Sequence, residues 1–229
     1  ARQTLRHIQR IHNLMKSEPA STAVILARGL GTSMRKHDTS AVLETSQSAV
    51  ADAGVKAMIP IGRPFLDFVL SALADAEFTR VCIVVGPEHD IIRNHYERDV
   101  KPARIKIEFA IQEKPLGTAD ALLAAEPIVG DDDFVVLNSD NYYPAEALRE
   151  LRLSPAPAIA GFRRGARIEK GNVAADRVTR FGALDVDEDG FLRRILVGKA
   201  AQDIDDSANA LASMNCWLFD TRIFDACRK

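Results

Sequence analysis

Asn138-Ser139-Asp140 closes the apolar run Phe134–Leu137 and sets a carboxylate at the carboxyl edge of a strand. Earlier, the run Thr22–Ala27 leads directly into Gly29-Leu30-Gly31-Thr32, whose glycines let backbone amides approach an anion closely. Taken singly, that turn reads equally as a phosphate cradle or as a tight structural turn. It is not a dinucleotide fingerprint, because Met34 stands where the third glycine belongs, and the chain has no Gly-Lys-Ser/Thr of a Walker-type loop. Lys56 precedes the apolar turn Ala57–Pro60, and Gln112 follows a strand, with Gly117 and Thr118 opening the next helix. Each also has a plainer reading: Asp140 and Gln112 as caps, Lys56 as a solvated surface cation. No Ser/His/Asp or Cys/His set is apparent, so the chemistry on offer is anion binding rather than covalent catalysis. His89 and His95 lie six apart, which is poor spacing for a shared metal, and read as surface residues. Asp131-Asp132-Asp133 reads as a solvated turn.

The elements that must position these residues alternate. Thr22–Ala27, Val81–Val85, Ile105–Ile111 and Phe134–Leu137 are apolar enough for strands buried on both faces. Helical patterns lie between and after them at Phe65–Ala76, Glu88–Arg98, Ala119–Ala125 and Ala145–Leu151. Such alternation predicts an α/β fold, a mainly parallel sheet flanked by helices, with ligands beyond the carboxyl ends of the strands. The second half changes character: Ala183–Val197 alternates around Glu188-Asp189-Gly190 as a β-hairpin, and Ser213–Phe219 reads as a further strand. Lys199–Asn209 is polar and acidic and is expected to be a mobile loop over the site, and His37–Gly54 an inserted loop or short helix. Thr4–Ser17 carries apolar residues at helical spacing among Arg and His, which predicts an amphipathic N-terminal helix.

The 229 residues carry a formal net charge of −2, which gives no electrostatic case for a nucleic-acid partner. No apolar stretch approaches the roughly 20 residues of a bilayer crossing, so no membrane span is expected. The three cysteines, Cys82, Cys216 and Cys227, are far apart and form no CxxC pair. That argues against a zinc site or a disulfide frame and favours a reducing cytoplasm.

Six blocks, LARGLGTSMR (Leu26–Arg35), VKAMIPIGRPFLDFVLSAL (Val55–Leu73), QEKPLGTADAL (Gln112–Leu122), VVLNSD (Val135–Asp140), FGALDVDEDG (Phe181–Gly190) and MNCWLFD (Met214–Asp220), stand in the order found in one family. With them the chain resembles the sugar-1-phosphate nucleotidyltransferases. The resemblance implies a Rossmann-like mixed sheet of the nucleotide-diphospho-sugar transferase type. It also implies transfer of a nucleotidyl group from a nucleoside triphosphate, UTP or dTTP favoured, to a sugar 1-phosphate with release of pyrophosphate. Such a reaction needs no general base, because the attacking phosphate is already ionised, and positioning with charge neutralisation supplies most of the catalysis.

The same resemblance assigns roles. Mg²⁺ is expected on Asp140 and Asn215, and Lys56 against the phosphates near the reacting centre. Ala27, Gly29, Gly31, Thr32, Gln112, Gly117 and Thr118 are expected to hold the nucleotide, Gln112 reading a uracil or thymine edge by donating and accepting at once. Gly182 and Lys199 are expected at the sugar. Ser33 stands where the family places an arginine, and Arg35 is expected to replace it. Arg28 takes the place of a small residue in the phosphate loop, and Val197 that of a sugar-contacting glutamate. The expected organisation is a helical extension over 1–19 and a nucleotidyltransferase domain over 20–229, lacking the C-terminal helix with which the family continues; a homo-oligomer is compatible with it. Two alternatives remain open: a non-catalytic homologue that binds nucleotide sugar, and a transferase of the same fold using another phosphorylated acceptor.

Overall fold

The computed structural model describes residues 18–29, 55–163, 181–198, 201 and 210–229. The N-terminal helix expected over Thr4–Ser17, the segment His37–Gly54 and the loop Lys199–Asn209, save for Ala201, lie outside the described residues. The chain divides into two compact units, one of Ala1–Ala158 with Trp217–Lys229 and one of Ile159–Cys216.

The first unit is built on four parallel strands in the order β5–β4–β1–β6: β1 (Thr22–Leu26), β4 (Arg80–Val85), β5 (Lys106–Ile111) and β6 (Phe134–Asn138). Valine and isoleucine dominate β1, β4 and β6, where branched side chains pack well on a pleated surface covered on both faces. A short hairpin, β2 (Pro60–Ile61) with β3 (Arg63–Pro64), turns at Gly62 and feeds helix α1 (Phe65–Asp75). Helix α2 (Asp90–Asn94) follows β4, α3 (Thr118–Val129) follows β5, and α4 (Ala145–Arg152) follows β6. Trp217–Phe219, the end of strand β10 (Leu211–Phe219), lie antiparallel on β6, Trp217 opposite Val136 and Phe219 opposite Phe134. The sheet is therefore mixed. Helix α5 (Arg222–Cys227) then places Phe224 flat on Phe134, ring centroids 5.4 Å apart.

The core beneath α3 joins Val24, Cys82, Val84, Ala110 and Val136 of the strands to Ala121, Leu122, Ala125 and Val129 of the helix. Burial pushes the Cys82 thiol up to about 12, so it behaves as a small apolar side chain. From β1 the chain builds outward through β4 to β5, then returns to the other side of β1 with β6. The order thus reverses between β1 and β6, and the carboxyl ends of those two strands form the crevice in which doubly wound sheets bind ligands.

In the second unit, β7 (Ala158–Arg163) and β8 (Ala183–Val186) pair with β10, and β9 (Leu192–Leu196) pairs antiparallel with β8. The β8–β9 turn is the expected one: Asp187 Oδ1 accepts from the backbone N–H of Asp189 and of Phe191, and Gly190 takes φ 85°.

The helix expected over Glu88–Arg98 differs. It begins at Asp90 and passes into a π-helical turn at His95–Asp99, because Gly86 to His89 close a turn of their own through His89 N–H to Gly86 O. His89 is buried at 5 % exposure, not at the surface. Among the described residues no helix is long and apolar enough to cross a membrane.

Candidate functional site

At the reversal point, β6 continues through Asn138 and Ser139 to Asp140, while Ser139 N–H donates to Leu26 O at 3.2 Å and ties that turn to the end of β1. The Tyr143 hydroxyl, on a buried ring, accepts from Asn138 N–H and from the Asn141 side chain, which braces the loop carrying Asp140. Sequence reasoning passed over Tyr143; its only signal was an aromatic soon after the Asn-Ser-Asp block.

Lys56 opens a single 3₁₀ turn, Lys56–Met58, whose Ala57 and Met58 are buried and so anchor the lysine at the rim. Its Nζ lies 3.4 Å from Asp140 Oδ2, both side chains about one-third to two-fifths exposed. The structure thus brings together the two charged residues singled out from sequence. From β1, Ala27 is buried and Gly29 exposed with open space where a Cβ would stand, which leaves its backbone approachable. Gly31, Thr32, Ser33 and Arg35 lie outside the described residues, as does Lys199.

Gln112 is buried at 4 %, and its Nε2 donates to Gly117 O at 3.0 Å and to Asp120 Oδ2 at 2.7 Å. Both partners only accept, which fixes the orientation of the amide. The amide nitrogen is therefore spent on bracing the start of α3, and Oε1 is the polar atom left for a ligand. In this arrangement the amide, expected to donate and accept at once, directs both donations within the protein. Asp120, in the first helical turn, is a supporting residue that sequence reasoning missed. Gly117 takes φ 107°, a left-handed conformation that disfavours any side chain, and Glu113–Ala119 are all exposed.

Between Lys56–Asp140 and Gln112 lies a charged cluster around Arg28, the residue that replaces a small one in the Gly29–Thr32 loop block. Arg28 follows β1, and its side chain is only 7 % exposed. Its Nη2 reaches Glu88 Oε1 at 3.4 Å, while Nε and Nη1 are buried without any partner. The guanidinium lies over Gly86: a Cβ there would stand 2.6 Å from Arg28 Nε. Gly86 N–H donates to His89 Nδ1 at 3.2 Å, which requires that nitrogen to be unprotonated, and burial above all holds His89 below its ordinary value.

Of the residues assigned by resemblance, Gly182 and Asn215 belong to the second unit. Gly182 O accepts from Ser213 N–H at 2.7 Å, and a Cβ at Gly182 would meet Ile195 Cγ2 at 3.0 Å. Asn215 is exposed on β10 with φ 56°, a conformation asparagine tolerates better than most residues. Its backbone N–H donates to Ser213 Oγ. Val197 is 71 % exposed.

Among the described residues no three His, Cys, Asp or Glu side chains converge as a cage for a metal. A single accessible carboxylate, Asp140, instead suits Mg²⁺, which keeps several waters and is shared with substrate phosphates. The donor set therefore fits that ion.

A sequence model of the nucleotidyl transferase family matches residues 50–229. The chain is 25% identical over 204 residues to the low-salt glycan biosynthesis nucleotidyltransferase Agl11 of Haloferax volcanii, covering 89% of this chain and 50% of that protein. It is 33% identical over 132 residues to the mannose-1-phosphate guanyltransferase of Aspergillus oryzae, covering 56% of this chain and 33% of that one. The chain thus spans half or less of the length of these relatives. In structure it superposes on a UDP-glucose pyrophosphorylase from Acinetobacter baumanii with a TM-score of 0.66 at 18% identity, over 92% of this chain and 78% of the other, a likeness of fold.

Proposed function

Because this chain belongs to the nucleotidyl transferase family, we propose that it transfers a nucleotidyl group from a nucleoside triphosphate to a sugar 1-phosphate, releasing pyrophosphate. The observation that carries this reading is the meeting of Lys56 and Asp140 at the point where the strand order reverses. A cation and a hard oxygen donor side by side can neutralise a triphosphate and hold Mg²⁺ without any general base. When bound, that ion would draw charge from the reacting phosphates and help align them. Asp140, just beyond β6, would be its ligand, and the resemblance adds Asn215.

In this reading the amides at Gly29, Gly31 and Thr32 cradle the phosphates, with Ala27 beneath them. Arg35 supplies the guanidinium that Ser33 lacks. Gly117 and Thr118 leave the start of α3 open to the nucleotide, and Gly182 and Lys199 contact the sugar. Gln112 Oε1 can accept from N3–H of uracil or thymine, which supports UTP or dTTP. It can accept equally from N1–H of guanine, and one relative is named a guanyltransferase. Three cysteines without a disulfide support a reducing, cytoplasmic setting, and the reading is compatible with a homo-oligomer.

Pyrophosphate release with a panel of triphosphates and sugar 1-phosphates, in Mg²⁺, tests the proposal. Turnover with at least one hexose 1-phosphate is expected. Turnover only with a different phosphorylated acceptor would move the assignment to a sibling reaction. Nucleotide-sugar binding without turnover would make the chain a binding homologue, a reading that Val197 in the glutamate position favours.

A further inference from the structure

Arg28 stands one residue beyond the end of the Ala27 ladder, and the ladders continue there. Ala27 N–H donates to Val84 O and Gln112 N–H to Val85 O, each at 2.9 Å. With Leu26 opposite Val84 and Val85 opposite Ile111, Arg28, Gly86 and Gln112 form one row across β1, β4 and β5. Residues two apart along a strand share a face. Val24, Val84 and Ala110 all lie in the core beneath α3, so Arg28, Gly86 and Gln112 continue that same face past the sheet edge. The Gln112 side chain bears this out by reaching Gly117 and Asp120 at the start of α3.

The row has a distinct chemistry. Arg28 can only donate, and two of its nitrogens, Nε and Nη1, are buried without a partner. Gly86 has no side chain, and the Glu88 carboxylate and the Arg28 guanidinium together occupy the space a Cβ would fill. Gln112 has its nitrogen committed and offers only an acceptor. The 3.4 Å contact to the half-exposed Glu88 is long for a charge-assisted bond, so that carboxylate only partly satisfies the guanidinium. Leaving donors of a charged group buried and unpaired is costly, and such a group is retained where a ligand completes it.

We propose that Arg28 is a specificity-determining residue for the nucleotide base, selecting a lactam edge, a ring carbonyl next to a ring N–H. The carbonyl faces Arg28 and the N–H faces Gln112 Oε1. Guanine, uracil and thymine present that edge. Adenine and cytosine present its inverse, an amino group toward the guanidinium and a bare ring nitrogen toward Oε1, leaving both protein groups unmatched. Guanine adds N7 beside O6, a second acceptor for a second donor of Arg28, the pairing arginine makes with guanine in nucleic-acid recognition. GTP is therefore the tightest ligand. This inference rests on the nucleotidyl transferase reading and narrows its substrate.

Equilibrium binding of GTP, UTP, ATP and CTP to the full chain tests it without requiring turnover. Wild type is expected to bind GTP and UTP roughly 10- to 100-fold more tightly than ATP and CTP, and GTP most tightly. Arg28→Gln is expected to remove most of that preference while ATP affinity changes little. Gly86→Ala, which crowds the guanidinium and its Glu88 partner while keeping both, is expected to erode the preference in the same direction. Equal affinity for all four triphosphates in the wild type, or a preference unchanged in folded Arg28→Gln and Gly86→Ala, would overturn the assignment. Selective binding without pyrophosphate release would instead leave Arg28 as the base reader and remove the transferase activity, so the two failures are distinguishable.

Discussion

Lys56 Nζ and Asp140 Oδ2 stand 3.4 Å apart, longer than the roughly 2.7–2.9 Å of a tight charge-assisted bond. Both side chains are partly exposed, so the attraction is worth little as stability. In the proposed reaction its weight lies in what each group would do once substrates arrive: the lysine would turn to phosphate and the carboxylate to the cation.

Asp140→Asn keeps the size and polarity of the side chain and removes its charge. Turnover is expected to fall by about 10²–10³-fold, as when a group stabilising developing charge is lost. The melting temperature should stay within a few degrees, because an exposed ion pair contributes about 0–1 kcal/mol. Steady-state kinetics in saturating Mg²⁺ with a parallel thermal melt checks both halves; wild-type turnover would exclude Asp140 from the site.

Lys56→Met separates two effects. Losing the cation should lower turnover by about two orders of magnitude if, as proposed, it faces the reacting phosphates. Losing the competitor should strengthen binding of the bare ion to Asp140. Titration with Mn²⁺ followed by electron paramagnetic resonance is expected to show tighter binding in Lys56→Met than in wild type without nucleotide. Weaker ion binding in the variant would mean that the lysine supports the carboxylate rather than competing for it.

His89 links the Arg28 cluster to pH. Burial, the largest cause, holds its proton affinity below the ordinary value, with Glu88 opposing and Arg28 and Arg93 adding to the shift. The unfolded chain therefore takes up this proton more readily than the folded one. Stability from this residue is complete above about pH 6.5 and declines as pH falls below it. Protonated Nδ1 can no longer accept from Gly86 N–H. His89→Asn offers an Oδ1 acceptor that does not titrate. Denaturation midpoints at pH 7.5 and 5.5 should fall less for this variant than for wild type; identical slopes would show that the bond does not carry the dependence.

Phe134 is fully buried, stacked on Phe224 and tilted against Phe219. Phe134→Ala should cost about 3–5 kcal/mol through lost burial and the cavity left behind. Chemical denaturation should show a lower midpoint at similar slope. A loss below about 1 kcal/mol would mean that α5 collapses into the space.

The parallel strands were legible because β1, β4 and β6 are written as largely apolar runs, while β5, the edge strand, is only partly buried and carries Lys106 and Glu108; all four fall within a residue of their expected limits. The hairpin was legible because Asp187 and Gly190 supply the turn its backbone requires. Lys56 and Asp140 stood out in their motif blocks, and the fold places their side chains 3.4 Å apart. Gln112 also stood out in its motif block, but the direction of its amide did not, since that depends on Gly117 and Asp120 coming within reach only once α3 forms. His89 resembled a surface histidine because the sequence around it is polar, and neither its burial nor the Gly86 N–H that its Nδ1 accepts was readable there. Strand β7 and helix α5 escaped notice: the first is only half-buried and the second is a single short segment.

The first unit is interrupted in sequence, since it contains Ala1–Ala158 and resumes only at Trp217. A ribosome therefore delivers β1 through α4 well before the residues that cover β6. Until Trp217–Phe219 pair with that strand and Phe224 reaches Phe134, the nascent chain displays an open strand edge and an uncovered aromatic ring. The intervening 58 residues, Ile159–Cys216, set the length of that vulnerable interval during synthesis. At about 5–20 residues per second it lasts several seconds, long enough for a holding chaperone to matter to how much of the chain survives its own translation.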